Sequence, residues 1–158
     1  MGDHTETIDI DYDPNTTSYE QMLKLFWKHH DPTTRAKRQY MSAIFYHGED
    51  QEALAKKSLG EAQKVGSQKI TSVIVPAEEF YEAEHYHQKF MLQQHPALVT
   101  SIGIGNIIRS HICTRLNGYV SGNGKTSDFD QECEKLGINE KMSEYIRNQM
   151  TKNRFGKF

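Results

Sequence analysis

Gly2-Asp3-His4-Thr5-Glu6-Thr7-Ile8-Asp9-Ile10-Asp11-Tyr12 alternates polar and apolar side chains, and the alternation predicts a strand over residues 5–12. Such a strand puts Glu6 on the face of Ile8, Ile10 and Tyr12, and Thr5, Thr7, Asp9 and Asp11 on the other. A carboxyl group aimed at an apolar side loses water, which favours its neutral, proton-holding form and suits it to act as a general acid. The plainer alternative leaves Glu6 at a frayed strand end, half in solvent and without chemistry.

Three further stretches follow in order. They are Leu25-Phe26-Trp27-Lys28-His29-His30-Asp31-Pro32, then Arg38-Gln39-Tyr40-Met41-Ser42-Ala43-Ile44, then Phe80-Tyr81-Glu82-Ala83-Glu84-His85-Tyr86-His87-Gln88-Lys89-Phe90. With Gly2 to Glu6, these words resemble the peptide methionine sulfoxide reductase A family: its glycine-to-glutamate run, its F-W-x-x-H-D-P, its Q-Y-x-S-x-I and its F-Y-x-A-E-x-Y-H-Q-x-Y. Four ordered words make a specific signal, which covers Gly2 to about Phe90.

The resemblance implies reduction of methionine S-sulfoxide, in proteins or as the free amino acid, with Glu6 as acid and Tyr40 hydrogen-bonded to the sulfoxide oxygen. Asp3 and His4 would flank the pocket, with Glu84, Tyr86 and His87 in the signature beside it. It also implies thioredoxin or another thiol as reductant, and no cofactor. Family members carry a nucleophilic cysteine in a G-C-F-W-G motif upstream of the glutamate, and that motif does not occur in the 158 residues. The chain is therefore expected to be a truncated or mis-started reading of a longer protein. A non-catalytic remnant that binds oxidised methionine without turnover is the alternative.

Two other departures bear on the site. In place of the family's longer loop with an aspartate before the tyrosine, this chain reads Thr34-Arg35-Ala36-Lys37-Arg38-Gln39-Tyr40, so an anionic wall becomes a basic one and an acidic peptide context is expected to be favoured. Asn117-Gly118-Tyr119 is faintly similar to the family's N-G-Y-C-G, but Val120 stands where the resolving cysteine would be. Of the two cysteines, Cys113 has His111 and Arg115 nearby in sequence to lower a thiol pKa, whereas Cys133 lies between Glu132 and Glu134. Cys113 is the better candidate redox thiol. A buried, inert thiol is the plainer and favoured account of either.

Bulk properties fit one domain with a single core. A formal charge of −2 gives no general pull towards nucleic acid or anionic membrane. No apolar run is long enough to span a bilayer, and no signal peptide opens the chain. Two cysteines fit a reducing compartment, so a cytoplasmic monomer is expected, although a targeting peptide could be lost with a missing N-terminus. Hydrophobic residues make up 36% of the chain and charged ones 25%, a modestly polar balance.

Asp13-Pro14-Asn15 predicts a turn. Ser18 and Gln21 have capping-box spacing, opening a helix with Tyr19, Met22, Leu23, Phe26 and Trp27 on one stripe and ending near His30. A strand is expected over residues 40–47 with Tyr40 at its entrance, where a packed ring and a wet hydroxyl are the plain reading. An exposed helix over 49–64, a strand over 70–75 and an aromatic-rich helix over 80–94 follow. Residues 98–112 predict a buried helix interrupted by glycines, because Gly103-Ile104-Gly105-Asn106 lacks the third glycine of a dinucleotide loop. Residues 128–136 and 139–153 predict two short helices, with a basic, frayed tail after them. His29-His30 and His85-x-His87 have no third partner at metal-ligand spacing.

The fold class expected is α/β: a two-layer sandwich with a mixed sheet, plus a helical C-terminal extension. Residues 1–96 form the reductase-like part and 97–158 a divergent, mostly helical extension of the same domain.

Overall fold

The computed structural model describes residues 4–155, which form a mixed α/β chain with one small parallel sheet. The chain divides into two units at Tyr81 and Glu82.

In the first unit Asp13 makes the expected turn, its carboxylate accepting from Asn15 N at 2.9 Å while its carbonyl accepts from Thr16 N at 2.9 Å. Helix α1 (Tyr19–Lys28) begins where Ser18 Oγ accepts from Gln21 N at 3.3 Å. Only that half of the capping box forms, because the Gln21 side chain accepts from Thr17 Oγ1 instead of returning to Ser18. Leu23 is buried, and Tyr19, Phe26 and Trp27 pack around it with Ile44, Leu54, Ala55 and Ile74.

Strand β1 (Ala43–Tyr46) pairs in parallel with β2 (Val73–Pro76), Ala43 opposite Val73 and Tyr46 opposite Pro76. Parallel neighbours need a long crossover, and α2 (Gly48–Val65) supplies it. Trp27 Nε1 donates to Ser58 Oγ at 3.0 Å and so pins α1 to α2. Pro76 closes the ladder at a strand end, where its missing N–H costs nothing; Ala77 N donates to Tyr46 O at 2.9 Å in its stead.

Three expectations for this unit are corrected. Residues 5–12 form no strand. One backbone bond, Glu6 N to Gln39 O at 2.8 Å, holds them, and Ile8 and Ile10 remain 79% and 52% exposed. Alternation supplies a face, but a strand exists only where a neighbour completes its ladder. Second, Tyr40 lies outside β1, in a 3-10 turn (Arg38–Tyr40). Third, the sheet among the described residues is a two-stranded parallel pair and not a mixed one.

The second unit is helical. It contains α3 (Phe90–Gln93), α4 (Pro96–Ile102), α5 (His111–Val120), α6 (Thr126–Glu132) and α7 (Glu140–Phe155). Leu92, Leu116, Val120, Phe129 and Ile146 are fully buried at its centre, and the Tyr119 and Phe129 rings meet edge to face at 5.0 Å.

The expected helix over 80–94 shrinks to the single turn of α3, because Lys89 adopts a left-handed φ of 48° that stops the helix from extending backwards. The helix expected over 98–112 is two. α4 ends at Gly103, whose φ of 66° suits glycine, and Asn106 then makes a turn by accepting from Ile108 N at 3.0 Å before Ser110 caps α5. The tail expected to fray from residue 152 stays helical to Phe155. No helix is long and apolar enough to cross a membrane among the described residues.

Candidate functional site

The segment carrying Glu6 is tied down at one place. Gln39 Nε2 donates to Glu6 Oε1 at 3.0 Å, Glu6 N donates to Gln39 O, and Thr5 Oγ1 donates to Arg38 O at 3.1 Å. Gln39 directly precedes Tyr40, so the clasp brings the Glu6 carboxylate to the turn that bears the candidate tyrosine. The apolar burial expected of Glu6 is not found: its residue is exposed, as are Ile8 and Ile10. Tyr40 is 60% exposed, so the packed ring of the plain reading is not found.

The His4 ring lies against that of Tyr81, the centroids 5.1 Å apart and the planes tilted by 54°, and Tyr81 Oη donates to Glu79 Oε2 at 2.6 Å. That bond to a carboxylate raises the Tyr81 pKa above its ordinary value. Asp3 lies outside the described residues. Tyr86 and His87 belong to the second unit, both exposed, their rings 4.3 Å apart and His87 Nδ1 3.3 Å from Glu84 Oε2. The first unit thus gathers Glu6, Gln39 and Tyr40, and pairs His4 with Tyr81.

Behind Tyr40, a second arrangement joins the end of α1 to both strands. His30 Nδ1 lies 2.5 Å from Phe26 O, His30 Nε2 lies 2.7 Å from Ser42 Oγ, and Ser42 Oγ lies 2.6 Å from Ser72 Oγ. A carbonyl only accepts, so Nδ1 carries the hydrogen; in the neutral ring Nε2 then accepts from Ser42, which accepts from Ser72. The His30 ring is a connector, signalled in the sequence only by its place in the word His30-Asp31-Pro32. Gln39, which adjoins Tyr40 in its word, carries no sequence signal of its role as a clasp.

Neither thiol is poised for attack from solvent. Cys113 is 1% exposed and Cys133 9%, and Cys133 Sγ donates to Asp130 O at 3.4 Å. Arg115, read from sequence as a partner for Cys113, is committed elsewhere: its Nε donates to Glu132 Oε1 at 2.9 Å and its Nη2 to Tyr119 Oη at 2.8 Å. Tyr119 Oη donates to the same Glu132 oxygen. Burial, then the bond to Glu132, push the Tyr119 hydroxyl up to about 12, against the opposing Arg115 charge.

Compared with known proteins, the chain is similar to oxidoreductases. A family model described as peptide methionine sulfoxide reductase matches residues 1–112, and the chain belongs to that family. A Drosophila melanogaster peptide methionine sulfoxide reductase is 42% identical over 150 residues, covering 92% of this chain and 61% of that protein. A Methanosarcina acetivorans peptide methionine sulfoxide reductase MsrA is 45% identical over 95 residues, 55% of this chain and 50% of its own length. The chloroplastic A4 protein of Arabidopsis thaliana is 38% identical over 94 residues, 56% of this chain and 36% of that one. The chain thus spans about half the length of such relatives. The similarity to the fly protein also runs well past Phe90, where the four family words end.

Proposed function

We propose that this chain handles the oxygen side of methionine S-sulfoxide reduction. Returning a sulfoxide to a thioether takes two thiols: their sulfurs join as a disulfide while the oxygen leaves as water with two protons. A thiolate attacking sulfur leaves negative charge on the departing oxygen. Glu6 protonates that oxygen and the Tyr40 hydroxyl hydrogen-bonds it. His4, which lies against the Tyr81 ring, flanks the methionine. The substrate is the S-epimer in oxidised proteins or as the free amino acid, and thioredoxin or a small dithiol is the reductant.

The observation that carries this reading is the double clasp of Gln39 on Glu6, which brings the acid to the turn bearing Tyr40. Both cysteines of the chain are buried, so the attacking thiol in the test is an added one. The full chain is incubated with a peptide containing methionine S-sulfoxide and dithiothreitol, and the thioether is measured. The expected result is reduction about a hundredfold faster than by Glu6→Gln, the order of a general-acid contribution, with Tyr40→Phe also slower and the R-epimer untouched. Equal rates for wild type and Glu6→Gln overturn the reading; binding of the sulfoxide peptide without reduction would indicate the non-catalytic remnant instead.

A further inference from the structure

Next to Ser42 the first unit opens into a cavity of about 460 Å3. The loop after Pro32 forms one side with Thr34 and Arg35, and the approach to β2 forms the other with Lys69 and Thr71. The two sides are stitched together. Thr71 N donates to Pro32 O at 2.8 Å, Thr71 Oγ1 donates to Thr34 O at 3.0 Å, and Ile70 N donates to Gln63 Oε1 at 2.9 Å. Asp31 stiffens the loop, its carboxylate accepting from Thr33 N at 2.9 Å and from Thr34 Oγ1 at 2.9 Å. These bonds hold the cavity open between two cations.

Its charge is uncompensated. Arg35 and Lys69 enter no ion pair among the described residues. The nearby Asp31 is absent from the lining, with its oxygens already engaged by Thr33 and Thr34. The hydroxyls of Thr34 and Thr71 donate to the protein itself and Ser42 Oγ is engaged by His30 and Ser72, so among the lining side chains the donors left for a ligand are the two charged groups. Met41 and Val73 add apolar surface to the lining. A short aliphatic stem ending in a carboxylate matches that mixture, methylenes against the apolar side chains and the anion between the cations. Met41 and Ser42 follow Tyr40 directly in the chain.

We propose that this cavity is a carboxylate subsite that takes an aspartate or glutamate side chain of the peptide carrying the oxidised methionine. The assignment deepens the reductase reading and rests on it for the identity of the peptide. It selects substrates through the sequence beside the methionine, by a contact separate from the sulfoxide.

The test uses the full chain and two readouts. In the first, amide resonances are followed during titration with an acidic peptide that lacks methionine; shifts gathered at Arg35, Lys69 and Thr71 are expected, and shifts scattered over other cations overturn the subsite. In the second, dissociation constants are measured for methionine-sulfoxide peptides that differ only by aspartate or asparagine beside the oxidised residue. The aspartate peptide is expected to bind about three- to tenfold more tightly, the order of two partly exposed ion pairs. Arg35→Gln combined with Lys69→Gln should erase that ratio, and Lys64→Gln on α2 should preserve it. Equal binding of the two sulfoxide peptides overturns the subsite and leaves the reductase reading standing. An aspartate preference in sulfide and sulfoxide peptides that otherwise bind equally tightly keeps the subsite and overturns recognition of the sulfoxide, and with it the reductase reading. Inorganic phosphate displacing the aspartate peptide at lower concentration than the peptide itself binds overturns the carboxylate assignment.

Discussion

Gln39 holds Glu6 from two sides, its side-chain amide donating to the Glu6 carboxylate at 3.0 Å and its carbonyl accepting from the Glu6 amide at 2.8 Å. Residues 7–11 beyond the clasp are exposed and not in a strand, so the position of the acid depends on this pair. Gln39→Ala removes the side-chain half only. Amide exchange at Glu6 should then rise about three- to tenfold, the worth of one net hydrogen bond, while amides of α1 and α2 keep their rates. Unchanged exchange at Glu6 would show that the backbone bond alone suffices.

Ser42 sits between His30 and Ser72 and has the most to lose on truncation. Ser42→Ala strands His30 Nε2 and the Ser72 hydroxyl, the latter in a residue only 8% exposed. The expected loss is about 1–3 kcal/mol, the cost of part-buried groups left without partners. Ser72→Ala removes the last hydroxyl of the relay and should cost less. Urea unfolding checks both, the midpoint falling with the slope unchanged.

Tyr119 predicts a pH dependence in the alkaline range. Its hydroxyl, pushed up from an ordinary 10.0 to about 12, favours the neutral phenol in the folded protein. The stabilisation is complete below pH 10 and is lost as the pH climbs through the folded value near 12. Ultraviolet titration of the eight tyrosines should show one phenol ionising late. Glu132→Gln should bring that ionisation to lower pH, since it removes the negative charge beside the hydroxyl. The chain must stay folded at the pH of measurement, which far-ultraviolet circular dichroism reports.

Cys113 and Cys133 should both resist a thiol reagent in the native chain and react in urea. Their burial at 1% and 9% makes opening of the helical unit the limiting step. Cys113, with the lower exposure, should label no faster than Cys133. Rapid labelling of Cys113 at neutral pH would instead restore it as a redox thiol.

Phe129, fully buried against Tyr119, reports on the second core. Phe129→Ala should cost about 3–5 kcal/mol, a large-to-small change in a packed interior. The same unfolding experiment measures it.

How legible was this in the sequence? Local chemistry was readable: Ser18 opening α1, the turn at Asp13 and the helix before β2 all follow from neighbours a few residues apart, where propensity and capping act. The family was readable too, because short ordered words carry it without any knowledge of packing. Alternation over residues 5–12 misled, since that pattern tells which face would be buried and says nothing about whether a covering element is present. The aromatic stretch from Phe80 to Phe90 misled in the same way, for Lys89 breaks the helix through a backbone conformation that composition does not encode.

Sequence alone determined the family, the acid and the tyrosine to examine, and the two cysteines. Only the tertiary structure decided that Gln39 is the residue holding Glu6, that His30 links a helix end through hydroxyls to the residues entering two strands, and that Arg35 and Lys69 line one cavity. The reason is distance along the chain. Glu6 and Gln39 lie 33 residues apart and Ser42 and Ser72 lie 30 apart, so each pairing exists only after loop closure has been offset by packing elsewhere.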